Sequence, residues 1–292
     1  MTTPEFAGNR DNFCYRHPDR QSFVLCQRCL RTICPECQTQ AAVGVICPEC
    51  MAEQRRGESP AQKKAQRRWR SSGSVALAAG GRPVVTYALI GITAFVYVLQ
   101  LLVGPIVQQA LAFYAGALYP QLTGGAFEPW RLITVSLVHS SFWHVGLNML
   151  ALWMIGRSLE PVLGRMRFLA LYVISALGGS VAVALLAPNS FVVGASGAIF
   201  GLFGALVIIA RHIGAEITGI LIVLGINLAI GFLPGMNVSW QSHVGGLIAG
   251  AVVGLVYART RQRSQRPLQI GLLVGWTAVL ALLLLIPPVI YG

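Results

Sequence analysis

The sequence predicts an all-α membrane protein preceded by a small metal-binding domain, and three observations carry that prediction. Hydrophobic residues make up 55% of the 292-residue chain and charged residues only 11%, and the mean hydropathy is +0.64, a profile ordinary soluble domains do not show. All seven cysteines fall between Cys14 and Cys50. Past residue 82 the chain breaks into seven apolar runs approaching the ~17 to 25 residues of a membrane helix, several of them short at one end.

The opening stretch MTTPEFAGNRDNF has no basic region leading into an apolar core. No signal peptide is therefore expected, and the first ~80 residues should stay on the cytoplasmic side. Next come CYRH, CQRC, CPEC and CPEC, four pairs with two residues between ligands: Cys14, His17, Cys26, Cys29, Cys34, Cys37, Cys47 and Cys50. A two-residue gap lets one tight turn present two ligands to one ion, and tetrahedral zinc takes four, so eight ligands predict two structural Zn2+. A disulfide framework would need an oxidising compartment and would leave one of seven cysteines unpaired. Closed sites leave no open metal position, so the module is expected to recognise or regulate, with no cofactor for catalysis. Over about residues 12–52 the pattern resembles a small B-box-type or RING-like zinc finger. The resemblance implies interleaved pairs, Cys14, His17, Cys34 and Cys37 against Cys26, Cys29, Cys47 and Cys50; spacing alone leaves the grouping open.

Residues 53–82 read as a flexible basic linker, with Lys63, Lys64, Arg67, Arg68 and Arg70 placed to lie against anionic headgroups. The apolar runs follow at about 84–103, 145–159, 166–187, 196–210, 217–233, 243–258 and 268–291. A cytoplasmic N-terminus puts Arg157, Arg165, Arg167, Arg211, Arg259, Arg261, Arg263 and Arg266 in cytoplasmic loops and only Arg131 outside, as the positive-inside rule requires; the C-terminus then lies outside. The formal charge of +12 is thereby used up beside apolar runs, and nucleic acid is not an expected partner. In the last run, Pro287 and Pro288 should break the helix near the outer surface.

With that topology three spans enter from the outer face with polar residues near their starts: His144 and Asn148, then Ser196, then His243. Intramembrane polar groups are costly, and their convergence at one depth marks a candidate site. A serine in apolar sequence is ordinarily a helix-packing residue, and His144 and Asn148 alone would read as interhelical hydrogen-bonders. The surroundings change that reading. In HVGGLIAGAVVG, His243 shares a face with Gly246, Gly250 and Gly254, so the face carrying the histidine is the one that packs closest. On the other helix, Phe200 and Gly204 lie on the serine's side, making it the expected partner. Ser196 is then a candidate nucleophile and His243 its base. Gly194 and Gly197 in GASG leave room for a substrate carbonyl, with His144 and Asn148 as candidate oxyanion donors. No acid completes a triad. After Glu58 the only carboxylates are Glu128, Glu160 and Glu216, the last two on the cytoplasmic side and the first in an outer loop with no helix to aim it. HExxH is absent, since His144 is followed by VGLN, and no aspartate lies in the spans, so metalloprotease and aspartyl chemistry are excluded.

Over about residues 84–260, GASGAIFG, HSSFWHVGLNML, HVGGLIAG and the pair Trp130-Arg131 resemble the signature set of rhomboid intramembrane serine proteases, with no departure in these motifs. The resemblance implies a six-helix core over about residues 83–260, with the run over 266–292 as an added C-terminal helix. It implies a Ser196–His243 dyad, His144 and Asn148 in the oxyanion hole, Phe200 stacked on the histidine, and Trp130 and Arg131 structural in a membrane-inserted loop. His139 reads as either structural or water-retaining. Implied substrates are single-span transmembrane proteins cut near the outer face, where the target helix is unstable; a peptide bond in a helix must unwind before attack. Two other functions were weighed. One is a catalytically weak or inactive rhomboid-like adaptor that binds membrane helices while the zinc module recruits a cytoplasmic partner, although such members usually lose the serine or the histidine. The other, a small-solute transporter, is disfavoured because no internal repeat is apparent among the runs.

Overall fold

The computed structural model describes residues 10–40, 45–56, 82–212, 217–231 and 238–291. The basic segment holding Lys63, Lys64, Arg67, Arg68 and Arg70, and also Glu216, lies outside the described residues. The chain divides into two compact units, Met1–Ser71 and Ser72–Gly292.

The first unit is built on its sulfurs. β1 (Phe13–Cys14) pairs antiparallel with β2 (His17–Gln21), β3 (Thr39–Gln40) pairs with β4 (Val45–Ile46), and α1 (Pro48–Arg56) follows. Its buried apolar core consists of six cysteines with Ile33 and Ile46, too little surface to hold a fold of this size alone. The ligand atoms of Cys14, His17, Cys34 and Cys37 lie within 4.8 Å of one another, and so do those of Cys26, Cys29, Cys47 and Cys50. The interleaved grouping implied by the zinc-finger resemblance is the one adopted. Nδ1 of His17 stands 3.3 Å from Cys34 Sγ, 3.4 Å from Cys37 Sγ and 3.8 Å from Cys14 Sγ, and Cys29 and Cys47 sulfurs are 3.7 Å apart. A tetrahedron with Zn–S of ~2.3 Å has edges of about 3.8 Å, so both sets fit one zinc ion each. Tight turns aim the thiols: Leu30, at φ +60°, closes the Cys26–Cys29 knuckle by donating its amide to the Cys26 carbonyl, and the Cys47 amide donates to Cys26 Sγ. Burial raises Cys14 and Cys26, but backbone N–H donors outweigh it and bring both to about 6. In the same clusters burial and neighbouring thiols push Cys37 up to about 11 and Cys50 up to about 12. Three or four thiolates this close do not ionise together without a cation between them.

The second unit contains seven helices of 13 residues or more among the described residues: α2 (Val84–Val103), α3 (Phe142–Leu163), α4 (Arg165–Leu186), α5 (Ser196–His212), α6 (Thr218–Ile230), α7 (Trp240–Arg259) and α8 (Arg266–Leu283). By length and apolarity four stretches suffice to cross a membrane: Val84–Val103, Arg165–Leu186, Trp240–Arg259 and Arg263–Ile290. α5 and α6 are apolar but shorter. The start of α3 lies three residues before the expected position because Ser141 caps it, accepting from the His144 amide at 3.2 Å. Gly164, at φ +84°, is the entire link between α3 and α4. The helix over residues 217–233 is seen as Thr218–Ile230, with 232–237 outside the described residues. α8 ends at Leu283, the chain turns, and Pro287–Tyr291 resumes as a short helix, so the break lies just before the two prolines.

Helix α4 lies at the centre, its apolar window 61% buried, against 17% for α2 and 11% for the last span. α4, α5 and α7 meet backbone to backbone. A Cβ on Gly246 would collide with the Gly197 carbonyl, one on Gly250 with the Gly201 carbonyl, and one on Gly254 would stand 2.7 Å from Ala205 Cα. The expected α7 face is therefore the one that packs, but its row on α5 is Gly197, Gly201 and Ala205. Gly204, read from sequence as lying on the serine's side, packs on α7 as well: a Cβ there would collide with the Leu247 carbonyl oxygen. The third wall was missed: a Cβ on Gly178 of α4 would collide with Ala249, and one on Gly201 with Ser175. Far from this seam, Glu160 is buried near the end of α3 and accepts from the amides of Val85 (2.9 Å) and Thr86 (2.8 Å) and from the Thr86 hydroxyl (2.7 Å). It caps α2 across two helices, matching carboxylate charge to the helix dipole. α8 is tied at both ends, by Gln269 to Thr260 (2.7 and 2.9 Å) and by the Tyr119 hydroxyl to the Leu284 carbonyl (2.8 Å).

Two outcomes are expected. The folded chain should carry two zinc ions per molecule by elemental analysis, Cys37→Ser should lower that to about one, and chelation should unfold the first unit while the helical unit keeps its helix content by circular dichroism. In the seam, Gly250→Ala should cost about 1–3 kcal/mol and lower the melting temperature by several degrees. Gly275→Ala should be neutral, because a Cβ there meets nothing within 4 Å.

Candidate active site

The strand-like run before α5 is zipped in place before the serine appears. Val192 and Phe113 exchange both backbone hydrogen bonds (3.0 and 2.8 Å), the Gly194 amide donates to the Val135 carbonyl (3.0 Å), and the Ala195 amide donates to His139 Nε2 (3.3 Å). The chain then turns into α5, whose first residue is Ser196. Gly194 makes that turn at φ +120°, a conformation that side chains other than hydrogen rarely allow. It is also a space holder. A Cβ on Gly194 would stand 2.7 Å from His144 Nε2 and 3.8 Å from Ser196 Oγ, so both atoms border the same small volume. The histidine on α3 and the serine on α5 are thus brought to one point at the start of both helices.

His243 reaches the same end from α7. Its buried imidazole lies flat against Phe200, ring centroids 4.0 Å apart and planes 12° apart, and Phe200 is one helical turn beyond Ser196. The residue before it sits close to the α5 backbone, since a Cβ on Gly197 would stand 2.6 Å from Ser242 Oγ and 3.3 Å from the Ser242 carbonyl oxygen. Among the described residues His243 Nδ1 has no hydrogen-bond partner, so no carboxylate orients the ring from behind; stacking does. Asn148 is buried, and its Nδ2 donates to the His144 carbonyl at 2.8 Å, leaving one amide hydrogen uncommitted by that bond. His144 Nδ1 lies 3.0 Å from Ser140 Oγ, and its ring meets that of His139 edge-on, centroids 5.0 Å apart. With the Ser140 hydroxyl donating, the neutral His144 ring keeps its proton on Nε2, the atom that faces Gly194.

Of the residues singled out in the sequence, Ser196, His243, His144, Gly194, Gly197 and Phe200 come together here, with Asn148 one turn below His144. Glu128 stands in irregular chain with no helix of its own, as the sequence suggested, and an ion pair takes it up. Arg131, at the start of a short helix, holds it at 2.7 Å and also donates to the carbonyls of Gln109 and Ala112, while Trp130 Nε1 donates to the Ala110 carbonyl (3.3 Å). That network stitches residues 109–112 to 128–131, the structural part assigned to Trp130-Arg131. Two participants, Gln100 and Ser140, were missed, and a third was named without a settled role. Gln100 and Ser140 bond directly to the segment carrying His139 and His144, and His139, left between two roles, bonds the residue before the serine. Gln100 did give a signal, as the lone polar side chain in VYVLQLLVG.

A rhomboid domain model matches residues 126–260, a span holding every residue of this cluster except Gln100. The putative rhomboid protease YdcA of Bacillus subtilis is 33% identical over 141 residues, covering 47% of this chain and 71% of the relative. The rhomboid protease GluP of the same organism is 35% identical over 178 residues, 58% of this chain and 34% of the relative. RHOMBOID-like protein 1 of Arabidopsis thaliana is 39% identical over 150 residues, 49% and 38% respectively. The chain therefore spans little more than a third of the length of these last two. Shared sequence along most of YdcA, a domain match centred on the polar cluster, and four helices long and apolar enough to cross a bilayer make this an integral membrane protein that belongs to the rhomboid family.

Proposed function

We propose that the chain is an intramembrane serine endopeptidase that cuts single-span transmembrane proteins near the outer membrane face. The observation that carries this reading is His243 held flat on Phe200, one turn along the helix that begins with Ser196. In this mechanism Ser196 Oγ attacks the scissile carbonyl carbon while its proton passes to His243 Nε2, and the tetrahedral oxyanion occupies the volume beside Gly194. His144 Nε2–H and the second Asn148 amide hydrogen donate to it, aided by the positive end of α5. The imidazolium then protonates the leaving amine nitrogen, the C–N bond breaks, and an acyl ester remains on Ser196. A water deprotonated by His243 attacks that ester; the acid product leaves and the serine recovers its proton. No protein carboxylate and no metal ligand takes part.

Seven spans with the arginine-rich loops inside would place the N-terminus in the cytoplasm, the C-terminus outside, and the dyad at the outer end, in the plasma membrane. The zinc unit then faces the cytoplasm. Its closed, four-ligand clusters suit recruitment of a cytoplasmic protein and no chemistry of their own.

The test is cleavage of a fluorescent single-span substrate in liposomes. Wild type should cut, Ser196→Ala and His243→Ala should fall to background, and Gly194→Ala should lose roughly 10²-fold or more because its methyl fills the oxyanion volume. A folded, zinc-loaded wild type that cuts none of several permissive substrates would replace this reading with the adaptor.

A further inference from the structure

The first long helix, α2, supplies nothing to the reaction just described, yet one of its side chains reaches the site. Gln100 donates from Nε2 to the His139 carbonyl at 3.0 Å and accepts the His139 amide at Oε1, 3.1 Å away. A two-bond clamp of this kind fixes the peptide units on both sides of His139, in a stretch that has no regular secondary structure. The clamped residue faces two ways. Its ring, buried, accepts the Ala195 amide at Nε2, the last hydrogen bond before Ser196. Its chain continues into Ser140, which meets His144 Nδ1, and into Ser141, which caps α3. The nucleophile's loop and the oxyanion donor's loop are thus registered on one residue, which is itself registered on α2.

We propose that Gln100 and His139 are positioning residues for the Ser196 site, Gln100 by holding the His139 main chain and His139 by accepting the Ala195 amide through Nε2. The inference rests on the protease reading for its kinetic consequences, but not for its geometry. The acceptor at Nε2 requires a neutral imidazole with its proton on Nδ1, since an imidazolium has no lone pair to offer. With the Gly194 amide on Val135 and the Ala195 amide on His139, the two amides before the serine are both engaged, and the next donor along the chain is that of Ser196 at the head of α5. A shift of about 1 Å at that point separates a productive attack angle from an unproductive one, which can cost roughly 10²-fold in rate.

The experiment uses full-length protein in liposomes and two substitutions at His139. Glutamine carries its Oε1 the same number of bonds from Cα as histidine carries Nε2, so His139→Gln keeps an acceptor for Ala195, whereas His139→Leu fills similar volume without one. His139→Leu and Gln100→Leu should lower kcat about 10- to 100-fold with KM changed less than about twofold, and should slow labelling of Ser196 by a fluorophosphonate in parallel. His139→Gln should recover at least tenfold of that loss. Amide hydrogen exchange across residues 192–196 provides a readout independent of catalysis: it should quicken at least tenfold in both leucine variants and return toward wild type in His139→Gln. Equal exchange and equal labelling in wild type and His139→Leu would overturn the proposal. So would a His139→Gln variant no better than His139→Leu, since volume and not the acceptor would then be what matters. If wild type neither labels nor cuts, the protease reading fails alone, and the exchange comparison still decides whether Gln100 and His139 hold the loop.

Discussion

The structure depends on three helix backbones touching. In lipid there is no hydrophobic force to drive helices together, because the surrounding tails are as apolar as the side chains that would meet. Close approach along small residues gives packing without that force. Gly246 and Gly250 lie against the carbonyls of Gly197 and Gly201, while Gly178 and Ala249 close the third side. Backbones in contact have little freedom to slide or roll, so the first residue of α5 and the fourth of α7 keep one relative depth. The seam holds His243 against Phe200, one turn beyond Ser196, and that placement does not rest on a flexible side chain.

A chain with so few charges in its spans places each where the backbone leaves something unsatisfied. Glu160 serves the open amides at the start of α2. Arg131 satisfies the open carbonyls of Gln109 and Ala112 and is neutralised by Glu128, so a partly buried ion pair also closes a loop. Gln100 fits the same logic without charge, since residues 138–141 have no helix or strand of their own to absorb their polar groups. These are local solutions to the rule that irregular backbone near the membrane must find its partners within the protein. Two of them lie beside the cluster, because irregular backbone is what brings helix starts together.

Much of this was legible in the sequence, for reasons that differ by region. The zinc unit was readable because two-residue gaps encode ligand geometry directly, and the eight ligands fall into the two sets implied by its resemblance. That His144 borders the serine, and that His243 lies on the tight-packing face of its helix, was readable because helical period put each residue near a helix start and beside small residues. Gly204 does pack on α7, but Gly197, Gly201 and Ala205 beside it were not picked out, because glycines at 194, 197, 201 and 204 offer two plausible stripes and only the partner's shape shows that α7 uses both. Gly178 and Gly179 on α4 carry no chemistry that singles them out, although with Ser175 their spacing repeats the small-residue pattern. Gln100, Ser140 and the part played by His139 depend on contacts between segments tens of residues apart, and no periodicity reports those.

The unpartnered Nδ1 of His243 carries a further consequence for the proposed chemistry. In a triad, the acid both orients the histidine and offsets the charge it acquires when it takes the serine's proton. Here the ring lies face to face with Phe200 at 4.0 Å and 12°, and an aromatic face attracts a cation. The same contact therefore orients the neutral imidazole and favours the imidazolium, by about 1–2 kcal/mol in a site shielded from water, less than a buried carboxylate would give. A fixed acid would hold a permanent charge in the membrane whether or not a substrate were present. Stacking demands no such charge at rest, and so suits a site that sits within reach of lipid. With no acid behind the ring, the proposed reaction depends more heavily on how the nucleophile and the oxyanion donors are placed. That dependence gives the glycine seam and the loop hydrogen bonds around Ala195 their weight in this fold.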